Sequence, residues 1–173
     1  MVAGLWRVSW SVTEIAALAG KAARGAGAPP AQAARFGNVV AAHLANEKSA
    51  EDLMRALNAL PSGEIVALPL ALDAALASLA TESTAMLELV SNTPLLESYV
   101  GQLPFAARVT ETPDGRVWLQ ADLTQPRAAT APGRISGCDD FVSRMETLAE
   151  RTFVPETEAS RAAGAGAGLS DND

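Results

Sequence analysis

The stretch FAARVTETPDGRVWLQADL, residues 105–123, decides the class of fold. Pro113-Asp114-Gly115 is a turn signal set between two runs that carry valine, threonine and aromatics: proline presets φ, and glycine accepts backbone conformations that strain other residues. Alternation in the first run is partial, with Ala107, Val109 and Glu111 set against Arg108, Thr110 and Thr112. In the second run Val117 and Leu119 keep the two-residue period. Together these features predict a β-hairpin of Phe105 to Thr112 and Arg116 to Leu123.

Upstream of the hairpin the pattern is helical. Ser11-Val12-Thr13-Glu14 has the form of a capping box, in which the Ser11 hydroxyl takes the Glu14 amide and the Glu14 carboxylate reaches back. Behind it Ile15, Leu18, Ala19, Ala22 and Ala23 recur at helical spacing, and Gly25-Ala26-Gly27 supplies a left-handed stop before Pro29-Pro30. A second helix is predicted from Pro30 to Ala45, with Phe36, Val39, Val40, His43 and Leu44 on one side. A third starts at Ser49, capped with Asp52 three residues on, and carries Leu53, Met54, Leu57 and Leu60 up to Pro61-Ser62-Gly63.

Beyond Gly63 the signals are mixed. Glu64 to Leu68 is short, apolar and bounded by turn residues, so it reads as a buried strand, and helical spacing returns in Leu70 to Ala80 through Leu72, Leu76 and Leu79. Met86 to Val90 is a strand candidate whose Leu and Met content suits a helix equally. Pro94 opens a helical turn through Leu96 and Tyr99. Gln125 to Gly137 reads as loop with a brief strand at Arg134-Ile135-Ser136. A last helix is capped by Asp139 or Asp140, carries Phe141, Val142, Met145, Leu148 and Ala149 on one face, and breaks at Thr152-Phe153-Val154-Pro155. Helices first, then strands mixed with helices, give an α+β class. The expected architecture is N-terminal helices packed with a small mixed or antiparallel sheet containing the hairpin, and a late helix. Residues 1–155 are read as one globular domain, and 156–173 as a Gly-rich segment that folds back on the domain or stays free.

Composition narrows the function classes. The chain has 173 residues and a net charge of −7. That charge and a pI near 4.7 argue against nucleic acid, whose binding needs clustered Lys and Arg. Its 36 alanines, against four Phe, three Trp and one Tyr, call for a core of closely approaching helices. The single cysteine, Cys138, allows neither a disulfide framework nor a CxxC metal or redox site. Met1 to Val12 lacks the apolar run and cleavage site of a secretory leader. Ile65 to Ala80 is too short to span a bilayer. A cytoplasmic setting without membrane contact is therefore expected, and no cofactor or metal is indicated.

Ser9-Trp10-Ser11 with Glu14-Ile15, followed by Lys21-Ala22-Ala23-Arg24-Gly25-Ala26-Gly27, resembles the opening of a bacterial protein family of unknown function. PETEASRAAGAGAGLSDND, Pro155 to Asp173, resembles that family's closing segment, with only diffuse similarity between the two blocks. At Ala28-Pro29-Pro30 the family has an aromatic-containing turn, so the loop between the first two helices is remodelled in this chain. The resemblance implies no activity and transfers no catalytic residues.

The closing segment is also the most distinctive piece chemically. Gly164, Gly166 and Gly168 alternate with alanine, so successive amides are free to form an anion nest. Ser170, Asp171 and Asp173 end the chain, and the two carboxylates share one side if the backbone is extended. With Arg161 and Arg24 they make up the candidate ligand-binding set for a small polar or anionic metabolite. The plain alternative is a mobile terminus. For Arg24 and Lys21 the plain alternative is a favourable interaction with the helix dipole. His43, the only histidine, reads as structural or surface, since a lone His without a nearby nucleophile makes neither a zinc site nor a triad. Cys138 reads as buried, and Trp6 and Trp10 as anchors of the N-terminal arm. Two functions remain open: a small-molecule-binding protein, with or without catalysis, and an accessory subunit that docks on a protein partner or on its own copy through alanine-rich helices or an acidic C-terminus.

Overall fold

A computed structural model describes residues 8–79, 83–88, 93–128 and 133–153. The order of elements is β1 (Ser9–Trp10), α1 (Val12–Gly25), α2 (Pro30–Ala45), α3 (Ala50–Asn58), α4 (Glu64–Ser78), β2 (Thr84–Leu87), α5 (Pro94–Val100), β3 (Phe105–Glu111), β4 (Val117–Pro126), β5 (Ile135–Ser136) and α6 (Asp139–Ala149), which runs into a 3-10 turn (Glu150–Thr152). The class is α+β. The hairpin forms where the turn signal places it, with Val109 opposite Leu119 and Thr110 opposite Trp118. β2 adds to the other edge of β4, giving an antiparallel sheet of order β2-β4-β3. Val117, Leu119 and Ala121 turn one face of β4 into the core.

The helices begin and end for local reasons. Ser11 and Glu14 form both halves of the capping box on α1, at 3.1 and 2.8 Å. At its other end Ala28 N–H donates to the Ala23 carbonyl and Gly27 N–H to that of Arg24, with Gly27 at φ 101°. This is the doubled C-terminal bond pattern that favours glycine. α1 and α2 lie against each other through small residues: a Cβ on Gly37 would sit 2.4 Å from the Ala16 carbonyl oxygen. On its other side α1 packs on α6, and β1 pairs with β5, Ser9 opposite Ser136. Arg134 fixes that junction by donating from Nε to Ser9 Oγ at 2.8 Å.

Three sequence expectations are corrected. Glu64 to Leu68 is not a strand but the first turns of α4, which runs through Pro69 to Ser78. An all-apolar run carries no period, so length and flanks alone cannot separate a buried strand from a buried helix. Neither Asp139 nor Asp140 caps α6: Cys138 holds the cap position without a side-chain bond, and both aspartates lie in the first turn, where the dipole favours them. On α3 the Ser49 hydroxyl takes the Glu51 amide, while Asp52 pairs with Arg55 at 2.6 Å. The strand candidate at Met86–Val90 is realised as Thr84–Leu87. Among the described residues no helix is long and apolar enough to cross a membrane.

Candidate functional site

The termination of α2 builds the site. Lys48 N–H donates to the His43 carbonyl and Glu47 N–H to that of Leu44, the same pattern that ends α1. Here the left-handed position is held by Glu47, at φ 57°, where glycine is the unstrained choice. Glu47→Gly is therefore expected to stabilise the fold by about 0.5–1 kcal/mol, read as a shift of the urea midpoint. A midpoint that stays put or falls would show that the Glu47 conformation is not strained.

The chain leaves this turn with Lys48 reaching α5. Lys48 Nζ pairs with Glu97 at 2.9 Å and donates to the Pro94 carbonyl at 3.3 Å. Together these elements border a cleft of about 720 Å³. Ala41, Ala42 and Ala45 give α2 a low surface along it, and Lys48, Glu97, Ser98 and Arg127 supply its charged and hydroxyl groups. Arg127 is held in place by backbone, with Nε donating to Leu103 O at 3.1 Å and Nη2 to Ala107 O at 3.1 Å and Val100 O at 3.3 Å. It thus caps the carboxyl end of α5 with a cation, the charge that end favours.

Behind Ser98 lies His43, 0% exposed. Its Nδ1 is 2.9 Å from Ser98 Oγ, and its Nε2 is 3.0 Å from the Ser49 carbonyl oxygen. The histidine thus ties α2 to α5 and to the start of α3. Burial holds its pKa below the ordinary 6.5 and Lys48 adds to this, while the Ser49 carbonyl, Asp52 and Glu97 oppose it. A group held neutral in the fold but free to charge when unfolded gives the unfolded chain the extra proton as pH falls. The stabilisation that comes with neutral His43 is complete above pH 6.5 and is lost below it. Glu14 and Asp122, held below their ordinary 4.5 and 3.8 by hydrogen bonds from Ser11 and Thr124, lose their contributions only at lower pH. Between pH 7.5 and 5 the melting temperature is expected to fall, and to fall less in His43→Gln. Parallel curves for the two proteins would remove His43 as the cause.

Of the residues singled out in the sequence, the structure places His43 behind the cleft, against its lining residue Ser98, and leaves Arg24 away from it. Val12 and Ala16 of α1 border the cleft, whereas Arg24 is exposed in the last turn, roughly 18 Å from Val12 at 1.5 Å rise per residue. Lys21 is exposed as well. Cys138 is buried, and burial with the neighbouring Asp139 charge raises its thiol pKa, which leaves it unreactive. Trp10 is half-buried against the core, and its Nε1 and the Tyr99 hydroxyl are buried without a hydrogen-bond partner among the described residues; neither residue borders the cleft. Arg161, Gly164, Gly166, Gly168, Ser170, Asp171 and Asp173 lie outside the described residues, as does Trp6. Sequence reasoning missed Ser98, Lys48 and Arg127. Only Ser98 left a trace there, as a small hydroxyl inside the apolar turn LLESYV.

Among the described residues no group of His, Cys, Asp and Glu could hold a metal ion. No family model, curated protein or solved structure matches this chain, so the roles of the cleft residues rest on their own geometry and chemistry.

Proposed function

We propose that the protein binds a small polar molecule bearing an anionic group in the cleft between α2 and α5. One observation carries this reading: in a chain of net charge −7, the described residues of the cleft include two cations, Lys48 and Arg127, against one carboxylate, Glu97, which pairs with Lys48 and leaves an excess of one positive charge. Its volume lies within the range of small-molecule pockets, and its alanine surface suits an aliphatic or flat body. The role first given to Arg24 passes to Lys48 and Arg127; the Gly-rich segment 156–173, first read as closing the site, lies outside the described residues. Docking of a partner through alanine-rich helices has less to draw on, because Ala19, Ala22, Ala23, Ala33 and Ala41 are buried.

The test is thermal denaturation of the full chain with phosphate and with a panel of small mono- and dicarboxylates. At least one is expected to raise the melting temperature in a saturable way. Lys48→Met, which keeps the aliphatic stem, is expected to weaken that response about tenfold or more. If no anion of the panel shifts the transition, or if Lys48→Met responds like the parent, the cleft is not an anion site.

A further inference from the structure

We propose that Ser98 is a nucleophile toward small esters or thioesters, with His43 as its general base and the Ser49 carbonyl as the group that orients the imidazole. The proposal rests on the cleft being a small-molecule site, and adds a reaction to it. Three atoms in a row carry it: Ser98 Oγ, 2.9 Å from His43 Nδ1, and His43 Nε2, 3.0 Å from Ser49 O. A carbonyl oxygen has no proton to give, so Nε2 must carry one. In the neutral ring the lone pair is then on Nδ1, the nitrogen that faces the Ser98 hydroxyl. Nucleophile, base and orienting group within hydrogen-bond reach are the signature of an activated serine, with a backbone carbonyl in the place an aspartate takes elsewhere. Fifty-five residues separate His43 from Ser98, and only the packing of α5 on α2 brings them together.

The surroundings suit the task. Ser98 borders the cleft, whereas His43 is buried behind it, shielded from competing water. The serine proton has a second acceptor in the Pro94 carbonyl at 2.9 Å, but that oxygen also receives Lys48 Nζ, which lessens its demand on Ser98. Burial keeps the imidazole neutral, the form in which it accepts a proton near pH 7. Lys48 and Arg127 border the same cleft and give it positive charge, which favours a developing oxyanion.

In the first half-reaction Ser98 Oγ bonds to the acyl carbon and its proton passes to Nδ1. The bond from that carbon to the leaving oxygen or sulfur breaks, and the proton goes on to the departing group. Water then adds to the acyl carbon and gives a proton to Nδ1, the Oγ–carbon bond breaks, and Oγ recovers that proton. One ester and one water become one acid and one alcohol or thiol, with no redox change.

The test is incubation of the full chain with a short alkyl fluorophosphonate, followed by intact mass and peptide mapping. A single adduct is expected on Ser98, absent from Ser98→Ala and formed at least about 100-fold more slowly in His43→Gln. The wild-type labelling rate is expected to be flat through pH 6.5 and to fall only at lower pH, where His43, its pKa held below the ordinary value by burial, takes a proton in the presence of Lys48, Asp52 and Glu97, a profile that needs no variant. No adduct on Ser98 at pH 8, a folded His43→Gln that labels at the parent rate, or a rate that already falls between pH 8 and 7 overturns the proposal. Anion-induced stabilisation that persists in Ser98→Ala, without labelling of the parent, means the cleft binds but Ser98 is inert. Labelling without any anion response means the reverse.

Discussion

Gly25→Ala is expected to lower the melting temperature by about 6–12 °C. The residue is the last of α1, and it lies directly against α6. A Cβ there would be 1.8 Å from the Leu148 carbonyl oxygen and 2.8 Å from its carbon, both backbone atoms with no rotamer to yield. The two helices must separate, at a cost of about 3 kcal/mol or more, and each kcal/mol shifts the transition of a chain this size by about 2–4 °C. The helix propensity gained from alanine, up to about 1 kcal/mol, opposes the loss without cancelling it. Gly115→Asn, at a turn position open among the described residues and at φ 78° where asparagine is tolerated, is the control. If Gly25→Ala melts within about 2 °C of the parent, the contact between α1 and α6 is not as close as described.

Phe36→Ala carries the other large effect, an expected loss of about 3–5 kcal/mol. Phe36 is 0% exposed in the middle of α2 and is one of the largest side chains buried in the fold. Its removal costs both the transfer energy of the ring and the cavity it leaves in a closely packed helical core. Against a total stability of about 5–15 kcal/mol such a loss leaves a marginal protein. Urea unfolding measures it as a lower midpoint at an unchanged slope. A loss below about 1.5 kcal/mol would mean that the helices close up around the missing ring.

Most of the fold could be read from the sequence because its punctuation is local. Ser11 with Glu14, Gly27, Pro30, Ser49 and Pro113-Asp114-Gly115 each fix a boundary through bonds within a few residues, and those boundaries stand. The misread element, α4, is the one whose opening, IVALPL, has apolar residues all round; burial erases the period that identifies a helix. The β1–β5 pair is two residues long on each side, and only its second strand left a signal.

The site was less legible for a different reason. A histidine in an apolar stripe and a serine in an apolar turn are each unremarked alone, and nothing local pairs His43 with Ser98. Their chemistry comes from packing, which sequence periodicity does not encode. Lys48 falls between the second and third predicted helices, and its position depends on Glu47 adopting a backbone conformation that composition does not foretell. The alternating glycines of 164–168 stood out for the opposite reason, as a conspicuous local pattern.

The seam between the two ends of the described chain also bears on synthesis. β1 finds its partner only in β5, and Gly25 its seat only on α6, more than a hundred residues later. At about 5–20 residues per second a ribosome leaves α1 waiting for seconds with that flank bare. α2, by contrast, follows within a few residues and can cover the other flank at once. The nascent chain thus passes through a stage in which a paired α1–α2 hairpin shows one apolar side to its surroundings, a substrate for chaperones until α6 arrives.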